Sequence, residues 1–95
     1  MEERVLEELK KLGVKDLEKI ELNELSGDYV NAEVELPDGT IGKLLDDNKK
    51  YMCTQIEVNE DFCYGVATDE NIIAIYSYGK DGINAKLEKV IYLNK

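Results

Sequence analysis

The first residues of the chain carry apolar side chains at helical spacing. Within residues 2–12, apolar positions three and four apart form one stripe along an α-helix: Val5, Leu6, Leu9 and Leu12. Acidic residues stand at the start of this segment and lysines at its end, the order that the helix dipole favours. Gly13 follows, where a helix often ends in a left-handed cap. The pattern predicts an amphipathic helix over residues 2–12.

After a break at Ser26–Asp28 the apolar residues alternate with a period of two. Residues 29–36 read as a strand with one apolar face, and its polar face is formed by Tyr29, Asn31, Glu33 and Glu35. Pro37-Asp38-Gly39 is typical of a hairpin turn, so Ile41–Leu45 is predicted to pair back. The residues before the break fit either a helical turn or a strand. We favour a short turn followed by a strand near Lys19–Asn23.

Further strands are predicted in the second half of the chain. They cover Tyr51–Val58, Phe62–Ala67, Ile72–Tyr78 and, as one long strand or two short ones, Ile83–Leu93. In the first of them, alternation places Met52, Thr54, Ile56 and Val58 on the apolar face and Tyr51 on the polar face. Polar segments rich in turn formers separate these strands: 46–50, 59–61, 68–71 and 79–82.

These elements together predict the α+β class in a single domain, residues 1–95. The amphipathic helix has to bury its apolar stripe, and the apolar face of the sheet is the surface on which it can do so. We therefore expect an N-terminal helix packed on an antiparallel sheet of about six short strands. The pattern does not decide whether that sheet is open or partly barrel-like.

The charge of the chain is strongly negative and unevenly distributed. The 95 residues include 21 acidic and 12 basic side chains, for a net charge of −9. The excess lies in the first two thirds, because residues 62–95 contain as many bases as acids. Nucleic acids and anionic membranes are recognised through Lys and Arg, so direct binding to either is not expected. A basic protein would instead be steered toward this chain.

The composition also argues against catalysis. There is no histidine, which excludes Ser-His, Cys-His and His-metal sites. Paired carboxylates could still act on a glycosidic bond, but they need a cleft that a domain of this size rarely forms. We expect a protein that is not an enzyme.

Two oxygen-rich segments resemble cation sites only in composition. Residues 46–48 and 57–61 carry several carboxylates and amides, but they lack the ligand spacing and the central glycine of an EF-hand loop. Residues 79–82 contain a Gly-Lys pair without the rest of a phosphate-binding loop, so a hairpin turn is the simpler interpretation. No metal and no cofactor is expected.

The hairpin predicted around residues 59–61 decides whether the two cysteines can pair. If residues 59–61 form a three-residue loop, Cys53 faces Ala67 and Cys63 faces Glu57. The two thiols then lie on one face but roughly 13 Å apart, too far for a disulfide. An alternative register places Cys53 opposite Cys63 and would allow a bridge. We expect the first register and two unpaired thiols.

Six tyrosines against one phenylalanine suggest a binding face. Tyrosine offers a rigid contact surface with a hydroxyl group and is enriched at interfaces, although a one-sided sheet can also expose tyrosine without functional meaning. The candidate partner-binding residues combine the tyrosines on polar strand faces with nearby carboxylates: Tyr29, Glu33, Glu35, Asp46, Asp47, Tyr51, Glu57, Glu60 and Asp61.

These observations favour a small acidic inhibitor or adaptor that binds a basic, nucleic-acid-handling protein. In size and acidity the chain is similar to phage and mobile-element inhibitors of restriction and CRISPR nucleases. That resemblance is one of composition, without a shared motif, and it implies nucleic-acid mimicry. An immunity-type protein that neutralises a toxin and a homo-oligomeric structural domain are the alternatives. Because the N-terminus is acidic and lacks an export signal, a cytoplasmic location is expected.

Overall fold

The computed structural model describes residues 2–79 and 85–93 and shows an α+β fold. Two α-helices are present in this part of the chain, α1 (Glu2–Lys11) and α2 (Gly27–Val30), with a 3-10 turn at Leu17–Lys19 between them. The seven strands are β1 (Asn23–Ser26), β2 (Glu33–Glu35), β3 (Ile41–Lys43), β4 (Lys50–Glu57), β5 (Phe62–Thr68), β6 (Ile72–Gly79) and β7 (Ala85–Tyr92).

The strands form two antiparallel sheets. Five of them make an open sheet in the order β1-β4-β5-β6-β7, and β2 and β3 make a separate two-stranded hairpin. The predicted class and the antiparallel pairing are confirmed. The expectation of one sheet with about six strands is corrected, because β2 and β3 leave the main sheet and pair only with each other.

Both faces of the large sheet are covered. On one face, here called the helix face, Val5 and Leu9 of α1 pack against Val66, Ile73 and Ile75. On the other, here called the hairpin face, a second cluster joins strand residues to the β2–β3 hairpin and the loop after it: Val34, Leu45, Tyr51, Cys53, Ala67, Ala74 and Tyr76. The fold therefore has three layers, helix, sheet and hairpin.

Helix α1 ends where the sequence predicts. Gly13 has a φ of 91°, a left-handed conformation that glycine adopts without strain, and Val14 N donates to Leu9 O at 3.1 Å. The buried stripe differs in one respect from the predicted one. Glu8 is buried whereas Leu6 is only half-buried. The chain tolerates this charge on the buried side because Lys89 of β7 donates a hydrogen bond to the Glu8 carboxylate.

The predicted β4–β5 hairpin is confirmed together with its register. Cys53 lies opposite Ala67 and Glu57 lies opposite Cys63. Asn59 closes the turn, since its Oδ1 accepts hydrogen bonds from two backbone amides of the following residues, at 2.7 and 3.2 Å. Both cysteines are free thiols in the structure.

The predicted strand over residues 29–36 is corrected. Only Glu33–Glu35 is extended in a sheet, because Ser26 caps the short helix α2 and its hydroxyl accepts a hydrogen bond from Asp28 N at 3.3 Å. Asn31, expected on the polar face, is buried. Its Oδ1 accepts from Leu45 N at 3.0 Å and its Nδ2 donates to Leu45 O at 2.5 Å. The side chain thus replaces the backbone partner that a strand would have supplied.

The predicted faces of β4 are also corrected. Tyr51 was expected on the polar face and is 4% exposed, because the β2–β3 hairpin covers that face of the sheet. Met52, expected on the apolar face, is exposed. The strand expected near Lys19–Asn23 lies further along the chain, as β1, and the 3-10 turn occupies Leu17–Lys19.

The end of the chain agrees with the prediction as far as it is described. Strand β6 ends at Gly79, and the rest of the turn predicted at 79–82, with residues 83 and 84, lies outside the described residues. The final strand, β7, has a bulge beside Ile75 and Tyr76 of β6. Among the described residues no helix is long and apolar enough to cross a membrane.

Candidate functional site

A groove of about 910 Å³ opens on the hairpin face of the large sheet. One wall is formed by β1 and by residues 29–32, which run from α2 to β2. The floor is formed by the ends of β4, β5 and β6 that lie nearest the β4–β5 turn. This volume is within the range of ligand-binding clefts in proteins. The groove is therefore a candidate binding site.

The floor of the groove depends on Gly65. A Cβ atom at this position would lie 2.6 Å from Cε2 of Tyr78, so the tyrosine ring occupies the space that a side chain would take. Tyr76 lies beside Tyr78, with ring centroids 6.0 Å apart, and both rings line the groove. Because Gly65 has no side chain, the Tyr78 ring can lie against the backbone of β5 at this point.

Two tyrosine hydroxyls in the floor have different surroundings. The Tyr78 hydroxyl donates to Val30 O at 3.4 Å, which ties the floor to the wall, and burial raises its pKa to about 12. The Tyr76 hydroxyl is buried and has no hydrogen-bond partner among the described residues. Burial raises the pKa of Tyr76 as well, so it stays a neutral donor at physiological pH. An unsatisfied buried hydroxyl costs free energy unless another group binds it.

The two cysteines of the groove lie in its floor, and the Cys53 thiol is not activated. Burial raises the pKa of the Cys53 thiol to about 11, so this group stays protonated near neutral pH. Cys63 accepts a hydrogen bond from Nε2 of Gln55 at 3.2 Å. Neither side chain has a histidine nearby, because the chain contains none. The thiols act as small apolar residues in the floor.

The rim of the groove at β1 is apolar and exposed. Leu25 is 42% exposed and Tyr29 is 82% exposed, and both line the groove. Strand β1 is an outer strand of the sheet and pairs only with β4. Sequence analysis missed this rim, apart from Tyr29. The signal that was available is Ser26, a favoured N-cap residue, directly before Gly27 and Asp28.

The predicted site residues do not form one face. Tyr29 and Glu57 both line the groove, while Glu60 and Asp61 lie in the β4–β5 turn. Asp46 and Asp47 lie before β4 at the other end of that strand, roughly 23 Å away along its length. The remaining members are elsewhere, with Glu33 and Glu35 on β2 and Tyr51 buried in the core.

The acidic residues fall into two groups by their contacts. Asp47 accepts hydrogen bonds from Asn31 at 2.9 Å and from Lys43 at 3.2 Å, and the bond from Asn31 lowers its pKa most. Asp69 accepts from Lys49 at 3.0 Å. The side chains of the second group are exposed and make no hydrogen bond or ion pair within the described chain. From the predicted set, this group includes Glu33, Glu35, Glu60 and Asp61.

No metal-binding cluster was found in the part of the chain that the structure describes, where no three His, Cys, Asp or Glu side chains lie close enough to hold an ion. The arrangement instead combines a nearly uncharged groove, an exposed apolar rim and unpaired carboxylates. Glu57 is the one acidic or basic residue that lines the groove among the described residues.

No protein-family model, no curated protein and no solved structure matches the chain.

Proposed function

We propose that the chain is a small, non-enzymatic inhibitor or adaptor that binds a basic protein, of the kind that normally handles nucleic acid. The observation that carries this proposal is the group of exposed carboxylates without a cationic partner in the described chain. Together with a net charge of −9, they favour association with a positively charged surface and repel phosphates.

The hairpin gives these charges a fixed geometry. Glu33 and Glu35 both lie exposed on β2, two residues apart and hence on the same side of the strand, roughly 7 Å from each other. The buried Val34 between them anchors the strand in the core. A protein that binds the phosphates of a nucleic acid presents Lys and Arg that such carboxylates can contact, which is the physical basis of mimicry.

The test is capture of proteins from nuclease-treated extract of the native host on the immobilised chain, followed by mass spectrometry. We expect the retained protein to be basic, to be released by added duplex DNA, and to elute between about 50 and 500 mM salt, because screening weakens exposed charge pairs. Retention of acidic proteins only, or retention that neither DNA nor salt reduces, would overturn the proposal.

A charge-reversal pair locates the contact. Glu33→Lys with Glu35→Lys should reduce retention and leave the melting temperature within a few degrees of the wild type, because both side chains are exposed and unpaired. The matched control is Glu7→Lys with Glu70→Lys, which changes the net charge equally at two exposed residues of α1 and the β5–β6 turn. Equal loss in both variants would mean that total charge, and not the β2 face, governs binding.

A further inference from the structure

The outer edge of β1 leaves backbone hydrogen-bonding groups unpaired. Gly27 N donates to Lys49 O at 2.7 Å, and this residue pair continues the β1–β4 register. In an antiparallel ladder, residues alternate between bonding the neighbouring strand and facing away from it. Asn23 and Leu25 therefore bond β4, whereas the N–H and C=O groups of Glu24 and the N–H of Ser26 face outward. The C=O of Ser26 belongs to the N-cap of α2 and accepts the first hydrogen bond of that helix.

The same alternation separates the side chains of β1. Leu25 lies opposite Tyr51 and faces the groove, while Glu24 lies opposite Met52 and faces the helix side of the sheet. A strand added at this edge would place alternate side chains on these two faces. Its residues on one face would meet the exposed Leu25 and Tyr29, and those on the other would meet Glu24.

The other edge of the sheet is less suitable. Strand β7 contains a bulge at Glu88, which has no residue opposite it in the β6–β7 register. Bulges protect edges from pairing. Lys86 is also exposed on β7 and would repel a basic segment. The β1 edge has neither feature, and the nearest charged residues along the chain are Glu24 and Asp28.

We infer that β1 and the groove beside it bind an extended segment of the basic partner by strand addition, and that this segment alternates apolar and basic residues. Main-chain bonds to the N–H and C=O of Glu24 and to the N–H of Ser26 supply the pairing, and an apolar side chain packs on Leu25 and Tyr29 at the mouth of the groove. The inference rests on the proposed function, because the acidic charge selects a basic segment.

The groove supports this choice of occupant. Its floor is nearly uncharged, so a neutral apolar side chain can enter it at little electrostatic cost.

The probe is the peptide acetyl-Lys-Val-Lys-Val-Lys-Val-Lys-amide. It is added to the nitrogen-15-labelled protein, and its binding is measured by NMR from the backbone amide signals. We expect the amides of Glu24 and Ser26 to shift most and to exchange with solvent more slowly on binding. A peptide with glutamate in place of lysine should not bind. Changes centred on the β7 amides, or binding of both peptides alike, would overturn the inference.

Backbone pairing is tested separately by N-methylation. Two further peptides carry N-methyl groups on all lysines or on all valines, and one of the two must lose binding because the amides on one side of the strand face β1. Unchanged binding of both would refute strand addition and leave only charge attraction.

A variant in the protein gives the complementary test. Glu24→Pro removes an outward N–H without touching the ladder to β4, a position where an edge strand tolerates proline, and should weaken peptide binding at least about tenfold. Glu24→Gln removes only the charge and should weaken it about two- to fivefold, the usual effect of losing one exposed ion pair. Binding of Glu24→Pro at wild-type strength would contradict the inference. If that variant does not fold, the methylated peptides decide the question alone.

The outcome also separates this inference from the proposed function. If the captured partner elutes with salt and DNA but binds Glu24→Pro like the wild type, strand addition is wrong and the proposed function stands. If the lysine peptide pairs with β1 while no basic protein is retained, the edge binds peptides and the proposed function fails.

Discussion

Replacement of Lys89 tests how the buried carboxylate of Glu8 is accommodated between α1 and the sheet. Glu8 is 2% exposed, and its carboxylate accepts hydrogen bonds from Lys89, from Arg4 at 3.4 Å and from Lys11 at 3.5 Å. The bond from Lys89 lowers the pKa of Glu8 more than any other contact. Lys89→Met keeps an unbranched, mostly aliphatic side chain and removes the charged end that bonds Glu8.

The expected loss in the free energy of unfolding is about 2 kcal/mol. Hydrogen bonds to charged groups contribute about 1.5–3 kcal/mol, and the lower half of this range applies because Lys89 is 36% exposed and two cations remain. For a domain of this length, that loss lowers the melting temperature by about 8–16 °C. Lys11→Met is the control and should cost at most about 0.5 kcal/mol, because Lys11 is 66% exposed.

The pH dependence supplies the second half of the test. Since the folded-state pKa of Glu8 is lowered from its usual 4.5, the stability it contributes is complete above pH 4.5 and is lost as pH falls through the folded-state pKa. The difference between wild type and Lys89→Met, measured by circular dichroism during thermal unfolding, should therefore shrink below pH 4.5. A difference no larger than that of Lys11→Met, or one that stays constant down to pH 3, would refute this account.

Two further predictions concern the groove wall and its thiols. Gly27→Ala should lower the free energy of unfolding by at least about 2 kcal/mol in urea titration, because the added Cβ would lie 2.1 Å from the carbonyl oxygen of Asp46. Gly42→Ala is the control, since the nearest atom to its added Cβ would be 3.5 Å away. The control should change the free energy of unfolding by less than about 1 kcal/mol. Cys53, with a pKa of about 11, should react with iodoacetamide at pH 8 far more slowly in the folded than in the unfolded protein. Alkylation of the protein unfolded without reductant should modify both thiols. An intact Cys53–Cys63 disulfide would contradict the β4–β5 register, which places Cys53 opposite Ala67.

The features that sequence analysis predicted correctly are those decided by neighbouring residues. Gly13 ends α1 because glycine adopts a positive φ, and the Asn59–Asp61 turn sets the β4–β5 register because a three-residue loop permits one pairing. In both cases the deciding atoms lie within a few residues of the feature. The antiparallel arrangement follows from short strands joined by such turns.

The features that were predicted wrongly depend on distant contacts. Tyr51 is buried because a hairpin that precedes it in sequence folds over its face of the sheet, and Asn31 is buried because it bonds both backbone groups of Leu45. Period-two alternation assumes that one face of a sheet is wet, and here both faces are covered. The groove was not predicted, because its wall depends on the position of α2 over the sheet.

The acidic residues of the chain differ in whether their side chains have a partner within the fold. Glu8, Asp47 and Asp69 are bonded to cations or amides within the fold, and the structure depends on them locally. The exposed, unpaired group adds nothing comparable, and an excess of one charge destabilises a compact protein by self-repulsion. Under the proposed function, these side chains make their contacts with a partner outside the chain. A basic partner would turn the same repulsion into attraction, so the surface that weakens the isolated fold would stabilise the complex.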